Sequence, residues 1–213
     1  MDLAARSMRT EEFNSSRRAT AACDYDGSVI VLASKSPRRA EILGNAGVFF
    51  LVRAASIGEE RRPDESGEEY ARRLAREKAE AVSAEPGEIV LGADTVVCVD
   101  DHVLGKPRDA EDARRMLDLL SGRWHEVITG ICIRHASNTI VDSACTRVHF
   151  VALSPPEIEQ YIASGEPFDK AGGYAIQGLA SKYVDRIEGC YFNVVGLPIS
   201  LVSERLKGLT CAL

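Results

Sequence analysis

The sequence contains no apolar run approaching the roughly 18 residues of a membrane span, so no membrane partner is expected. It has no excess of positive charge. Lys and Arg number 26 against 32 Asp and Glu, a formal net charge of −6, which argues against a chain whose main task is coating a nucleic acid polymer. A local basic pocket for a small anion remains compatible with that balance. There is no C-x-x-C pair among Cys23, Cys98, Cys132, Cys145, Cys190 and Cys211. With no secretory h-region, the thiols read as reduced and the protein as cytoplasmic. Cys132 with His135 and Cys145 with His149 loosely mimic a zinc spacing, but both pairs fall in strand-like segments. Residues three apart on a strand face opposite ways, which disfavours a shared ion. Disorder, coiled coil and collagen are excluded on composition.

Residues 1–27 lack sustained apolar periodicity. Arg6, Arg9, Arg17 and Arg18 hint at a mitochondrial leader, but Asp2, Glu11, Glu12, Asp24 and Asp26 spoil the acid-poor pattern. The segment reads as an N-terminal extension. The terminal Cys211-Ala212-Leu213 places its cysteine one residue too late for prenylation.

Residues 28–208 read as one mixed α/β domain, an elongated molecule of two lobes. Val29 to Ala33 is a buried strand, and Ser36 caps a helix with Pro37 at its first position. Val48 to Ala54 reads as a second strand. Ser66-Gly67-Glu68-Glu69 is a capping box opening a long helix to about Ala84. Glu88 to Ala93 is a further strand stopping at Asp94, followed by a hairpin of Val96–Val99 with His102–Leu104. Asp109 caps the next helix. Val127–Arg134 and Thr139–Phe150 are strands, and Ser154-Pro155-Pro156-Glu157 repeats the capping signature. Tyr183–Glu188 and Tyr191–Val195 read as a last strand pair, and Pro198 opens the final helix.

Several polar groups interrupt this pattern. Ser34-Lys35-Ser36-Pro37-Arg38-Arg39 joins a strand to a helix N-terminus, where free N–H groups and the helix dipole suit an anion. Arginine adds a planar fork for phosphate oxygens, although a basic helix start is often only solvated. Around a wheel of about 100° per residue, Lys78 falls among Tyr70, Ala71, Leu74, Ala75, Ala79 and Ala81 on the apolar half. It must snorkel, find an ion-pair partner, or meet a substrate anion. Asp94 follows a buried strand, where ligands collect in open α/β sheets. It could equally cap a turn. Lys106 lies in a loop between Gly105 and Pro107. Glu166 to Gly178 is glycine-rich and charged, as functional loops often are. His125 reads as a structural histidine, since no nucleophile accompanies it.

Ser34 to Arg39, Gly92-Ala93-Asp94-Thr95, Gly105-Lys106-Pro107, Ser121-Gly122-Arg123, Glu166 to Gly178 and Asn193 to Pro198 occur in that order. The set resembles the Maf family of nucleoside triphosphate pyrophosphatases, over about Val29 to Leu206. The resemblance implies a long twisted mixed β-sheet with flanking helices and a central cleft, like that of the inosine triphosphate pyrophosphatases. It implies hydrolysis of a nucleoside triphosphate to the monophosphate and pyrophosphate, with a divalent cation, Mg²⁺ or Mn²⁺. Asp94 matches the catalytic acid and Glu59 an acid that helps with metal or water. Both are thereby candidate metal ligands. Lys78 and Lys106 match active-site lysines, and Ser34, Ser36 and Arg39 complete the first loop. Arg38, Thr95 and Gln177 match positions separating substrate subgroups, and their identity resembles the dTTP and UTP subgroup. CTP and modified pyrimidine nucleotides are further candidates. Gln177 carries a donor and an acceptor for a pyrimidine edge. Family members are often homodimers, although no stripe of this sequence marks an interface. Trp124 departs from the smaller or polar residue expected there. The alternative from another class is a non-catalytic nucleotide-binding regulator acting through a protein partner. Such a regulator would not need Asp94 together with Glu59.

Overall fold

The computed structural model describes residues 28–54 and 56–210. The 1–27 extension and the C-terminal cysteine lie outside these residues. The element order is β1 (Val29–Leu32), α1 (Pro37–Asn45), β2 (Phe50–Val52), α2 (Gly67–Glu80), β3 (Glu88–Val99), β4 (His102–Leu104), α3 (Ala110–Leu120), β5 (Trp124–His135), β6 (Asn138–Phe150), α4 (Pro155–Ala163), β7 (Val184–Glu188), α5 (Tyr191–Val195) and α6 (Ile199–Thr210). Short 3₁₀ turns at Glu166–Asp169, Ala171–Gly173 and Leu179–Tyr183 occupy the glycine-rich stretch and the residues after it.

The helix starts follow their caps. At α2, Ser66 Oγ accepts from the Glu69 N–H at 3.2 Å, and the Glu69 carboxylate accepts from the Ser66 N–H at 2.9 Å. Asp109 caps α3 by accepting from the Asp112 N–H at 2.8 Å. These bonds satisfy N–H groups that the first helical turn leaves without partners.

The strands form one mixed seven-stranded sheet in the order β2-β1-β3-β5-β6-β7, with β4 also on β3. β1 runs parallel to β2 and β3, and the other pairings are antiparallel. One face carries the main core, where Ile89, Leu91, Val97 and Val99 of β3 meet Leu43, Leu117, Ile162 and Leu206. The opposite face is covered by α2. Its Ala71, Ala75 and Ala79 pack on Val31, Val90, Val96, Ile128 and Cys132.

Two positions depart from the sequence reading. β3 does not stop at Asp94 but continues to Val99, because β5 pairs with it from Ile89 to Cys98 and supplies backbone partners throughout. Tyr191–Val195 is a short helix rather than a strand. Its aromatic and β-branched residues favour extended structure only weakly. Asn193 overrides that preference by burying its amide against the Val127 carbonyl at 2.8 Å and Thr146 Oγ1 at 2.9 Å. Gly196, at φ +126°, then ends the turn.

β1 and β4 share one edge of β3, since β5 covers the other. The β1 ladder ends at Leu91 and the β4 ladder begins at Val97. The intervening residues of β3, among them Asp94 and Thr95, therefore have no strand beside them on that edge. His125 is buried, with Nε2 at 2.8 Å from the Tyr174 hydroxyl. Burial pushes its pKa down to about 3, so the ring is a neutral packing element, as the sequence suggested. Trp124 lies against His149 and under the Arg147 guanidinium, 4.6 Å from the ring centre. Among the described residues, no helix is long and apolar enough to cross a membrane.

Two glycines set the depth at which α2 lies on the sheet. A Cβ on Gly92 would stand 2.2 Å from the Ala75 carbonyl oxygen, and one on Gly130 2.4 Å from that of Ala71. Both obstacles are helix backbone, which cannot rotate aside. Gly92→Ala and Gly130→Ala are each expected to cost about 1–3 kcal/mol by overpacking, seen as a lower urea midpoint. An unchanged midpoint in both would mean that α2 is free to lift from the sheet.

Candidate active site

The gap between β1 and β4 opens into a cavity of about 460 Å³. Ser34, Ser36, Arg38, Arg39, Glu59, Lys78, Asp94, Thr95, Lys106 and Gln177 all line it. Thus the residues singled out along the sequence converge on one space. The sheet edge explains how. Asp94 and Thr95 are neighbours on β3 and point to opposite faces, yet both reach the cavity because nothing pairs with β3 on that side.

Asp94 points toward α2 and is only 8% exposed. Gly130 lies directly across from it on β5. Lys78 extends from α2 and places Nζ 2.5 Å from Asp94 Oδ1 and 2.6 Å from Glu59 Oε1. The lysine on the apolar half of the helix therefore reaches a pair of carboxylates at the cavity wall. Burial raises the Asp94 carboxyl above its ordinary value despite the opposing charges of Lys78 and Arg39. Glu59 moves the other way. Burial works to raise it, but the Lys78 hydrogen bond and charge, with help from Lys106 and Arg39, outweigh that and hold it low. The surroundings thus push the two acids in opposite directions, Asp94 up and Glu59 down.

On the other face of β3, Arg39 is buried and committed to internal bonds. Its Nε donates to the Gly196 carbonyl at 2.8 Å, Nη1 to Ser34 Oγ at 2.9 Å, and Nη2 to Thr95 Oγ1 at 3.1 Å. Burial lowers its pKa, while the charge of Asp94 resists. Thr95 Oγ1 lies 2.9 Å from Thr129 Oγ1, which in turn donates to the Asn193 carbonyl at 3.0 Å. This chain ties the first loop, the middle of the sheet and α5 together. Arg39 thus sits at the cavity as a brace, with Arg38 and Lys35 nearer to solvent.

The N-terminus of α1 faces the same space. Ser36 makes no side-chain cap bond, so its hydroxyl and the first-turn N–H groups are available to an anion. Arg38 is half-buried, with Nη1 3.9 Å from Asp169 Oδ2, while Lys35, Lys106 and Gln177 are exposed on the cavity wall. The apolar part of the wall comes from Val97, Val127, Tyr174, Ile176, Val194 and Val195. Sequence reasoning missed these because they read as ordinary core. The hints were the positions of Tyr174 and Ile176 inside the glycine-rich stretch and of Val194 and Val195 inside the Asn193 to Pro198 motif.

Lys78→Met keeps the stem and removes the charge, leaving Asp94 buried beside no ammonium. The Asp94 pKa then rises further above its unfolded value of about 3.9. A raised carboxyl contributes stability below its unfolded pKa and loses it as pH climbs. The stability deficit of Lys78→Met relative to the wild type is therefore expected to be smallest near about pH 4 and to grow toward about pH 7. A deficit equal at both pH values would remove the ion pair as its cause.

A family model described as Maf-like protein matches residues 29–209. A dTTP/UTP pyrophosphatase of Koribacter versatilis (strain Ellin345) is 50% identical over 182 residues, covering 85% of this chain and 94% of that one. One from Syntrophomonas wolfei is 53% identical over 175 residues, covering 80% and 92%. Among solved structures, the Staphylococcus aureus Ham1 protein aligns at 14% identity with a TM-score of 0.46, covering 85% of this chain and 99% of that one. The family match spans nearly all of the described residues, and the chain belongs to the Maf-like protein family.

Proposed function

We propose that this protein hydrolyses nucleoside triphosphates to the monophosphate and pyrophosphate, with dTTP and UTP as its substrates and CTP or modified pyrimidine nucleotides as further candidates. The observation that carries this is the Asp94–Lys78–Glu59 cluster, placed in one cavity with the open N-terminus of α1, Lys35, Arg38 and Lys106. The relatives named dTTP/UTP pyrophosphatases support the substrate class.

A triphosphate brings several negative charges. Arg38, Lys35 and Lys106 can offset them through charge-assisted hydrogen bonds, and the first-turn N–H groups of α1 can donate to a phosphate oxygen. Lys78, paired with both carboxylates, can also donate to an incoming phosphate. Asp94 Oδ orients the water that attacks the α-phosphorus, and its raised pKa suits it to take up that water's proton at the same oxygen. The bond to the α-phosphorus that breaks is the one to the bridging oxygen, which leaves with pyrophosphate. The apolar wall excludes water around the base, and Gln177 at the mouth offers one donor and one acceptor to a pyrimidine edge.

The donor set fits a divalent cation. Asp94 and Glu59 each bring a carboxylate oxygen to the Lys78 ammonium, so the two acids stand near enough to each other that both would hold a cation bound beside it. Among the described residues no group of three or more His, Cys, Asp or Glu could hold a metal. Mg²⁺ commonly takes only one or two carboxylates, with substrate phosphate and water completing its shell. When bound, Mg²⁺ or Mn²⁺ supplies Lewis acidity, polarising phosphoryl oxygens and acidifying water. The same proposal includes a cytoplasmic setting, a homodimer, and no nucleic acid polymer or membrane as partner.

Pyrophosphate release from dTTP, UTP, CTP, GTP, ATP and 7-methyl-GTP with Mg²⁺ tests the reaction. Release from dTTP and UTP is expected, lost with EDTA and in Asp94→Asn, while Asp94→Asn keeps much of the nucleotide affinity. Tight binding without release from any member would instead make the protein a nucleotide-binding regulator. Gln177→Ala is expected to lower the ratio of UTP to GTP hydrolysis. An unchanged ratio would remove Gln177 from base selection.

A further inference from the structure

Glu59 poses a problem of placement. It lies on residues 56–65, which have no regular secondary structure, and its side chain is 43% exposed. An ion pair to Lys78 at such exposure contributes little to holding a loop, and ordering each loop residue costs conformational entropy. The loop is instead fastened from below by α2. Arg73 Nε and Nη2 grip the Glu65 carboxylate at 2.6 and 2.9 Å, and Nη2 also donates to the Glu60 carbonyl at 2.9 Å. Nη1 holds Glu77, one turn along the same helix, at 3.1 Å, which fixes the direction of the guanidinium. The same guanidinium lies 5.4 Å from the ring centre of Tyr70, whose hydroxyl donates to the Glu59 carbonyl at 2.5 Å. The Arg73 and Glu65 side chains are only 14% and 9% exposed, and a two-pronged charge-assisted pair so shielded is the strong kind.

We infer that Arg73 is a positioning residue, latching residues 59–65 onto α2 through Glu65 and the Glu60 carbonyl so that the Glu59 carboxylate meets Lys78 and Asp94. Arg73 does not line the cavity and acts only through Glu59. This inference rests on the proposed function of the cavity. Arg73 and Lys78 leave the same helix, so one rigid element sets both the loop that brings Glu59 and the ammonium that receives it.

The test is steady-state hydrolysis of dTTP with Mg²⁺ by the full chain, comparing Arg73→Met, Arg73→Lys, Glu65→Gln, Glu59→Gln and the double variant Arg73→Met/Glu59→Gln. Arg73→Met and Glu65→Gln are expected to lower kcat by about tenfold or more, as loss of a supporting contact typically does. KM should stay within about twofold, because no contact to the triphosphate is removed. Arg73→Lys should recover part of kcat. On the Glu59→Gln background, Arg73→Met should cause no further loss of kcat, since a residue acting through another has nothing left to act on. Independent, multiplying losses, or a rise in KM with kcat unchanged, would overturn the inference. So would wild-type kcat in Arg73→Met beside an impaired Glu59→Gln, which leaves the proposed site intact. Wild-type kcat in Glu59→Gln would overturn the place of Glu59 in the site, and this inference with it. If Arg73→Met does not fold, Glu65→Gln and its cycle with Glu59→Gln decide the matter alone.

Discussion

The close approach of α2 to the sheet is the constraint on which the rest depends. Gly92 and Gly130 present bare backbone to the Ala75 and Ala71 carbonyl groups, and Ala71, Ala75 and Ala79 keep the helix side of the contact equally thin. At this depth a lysine stem spans the remaining distance to Asp94. A helix riding even slightly higher would leave Asp94 buried without its ammonium, which is costly for a carboxylate. The small residues of this contact therefore decide the electrostatics of the cavity, although none of them carries charge.

The second determinant is an interruption. Had β1 and β4 been continuous, β3 would be covered on both edges and Asp94 and Thr95 would face separate compartments. Ending β1 at Leu32, opposite Leu91, and β4 at Leu104, opposite Val97, leaves a window. The chain that leaves β1 turns at once into α1, so the helix N-terminus and its basic residues border the same opening. Arg39 stabilises that arrangement by bonding to Ser34, Thr95 and the Gly196 carbonyl. A buried guanidinium of this sort holds together segments far apart in the chain, and Thr129 and Asn193 extend the hold through the sheet. The chain is acidic as a whole, so the basic character of this opening is a local product of folding.

Much of the fold was readable along the chain. The caps at Ser66, Asp109 and Ser154 placed three helix starts correctly, because an N-cap with its partner is complete within four residues. The buried apolar runs marked β1 and the first half of β3, and β5 and β6 read as a pair of strands. Likewise, Lys78 stood out as a charge on an apolar helix face, and Asp94 as an acid after a buried strand. Their chemistry followed from residue type and local context.

What the sequence determined by itself is the set of elements and the identity of the reactive groups, since caps, periodicity and side-chain chemistry are local properties. Tertiary structure alone decided three further points. β3 runs through Asp94 because β5 supplies its partners. Tyr191–Val195 coils because Asn193 finds buried acceptors on β5 and β6. Arg39 braces the cavity wall because Gly196 and Thr95 arrive beside it. Each outcome depends on hydrogen bonds between residues tens of positions apart, and these exist only once the sheet and α2 are packed.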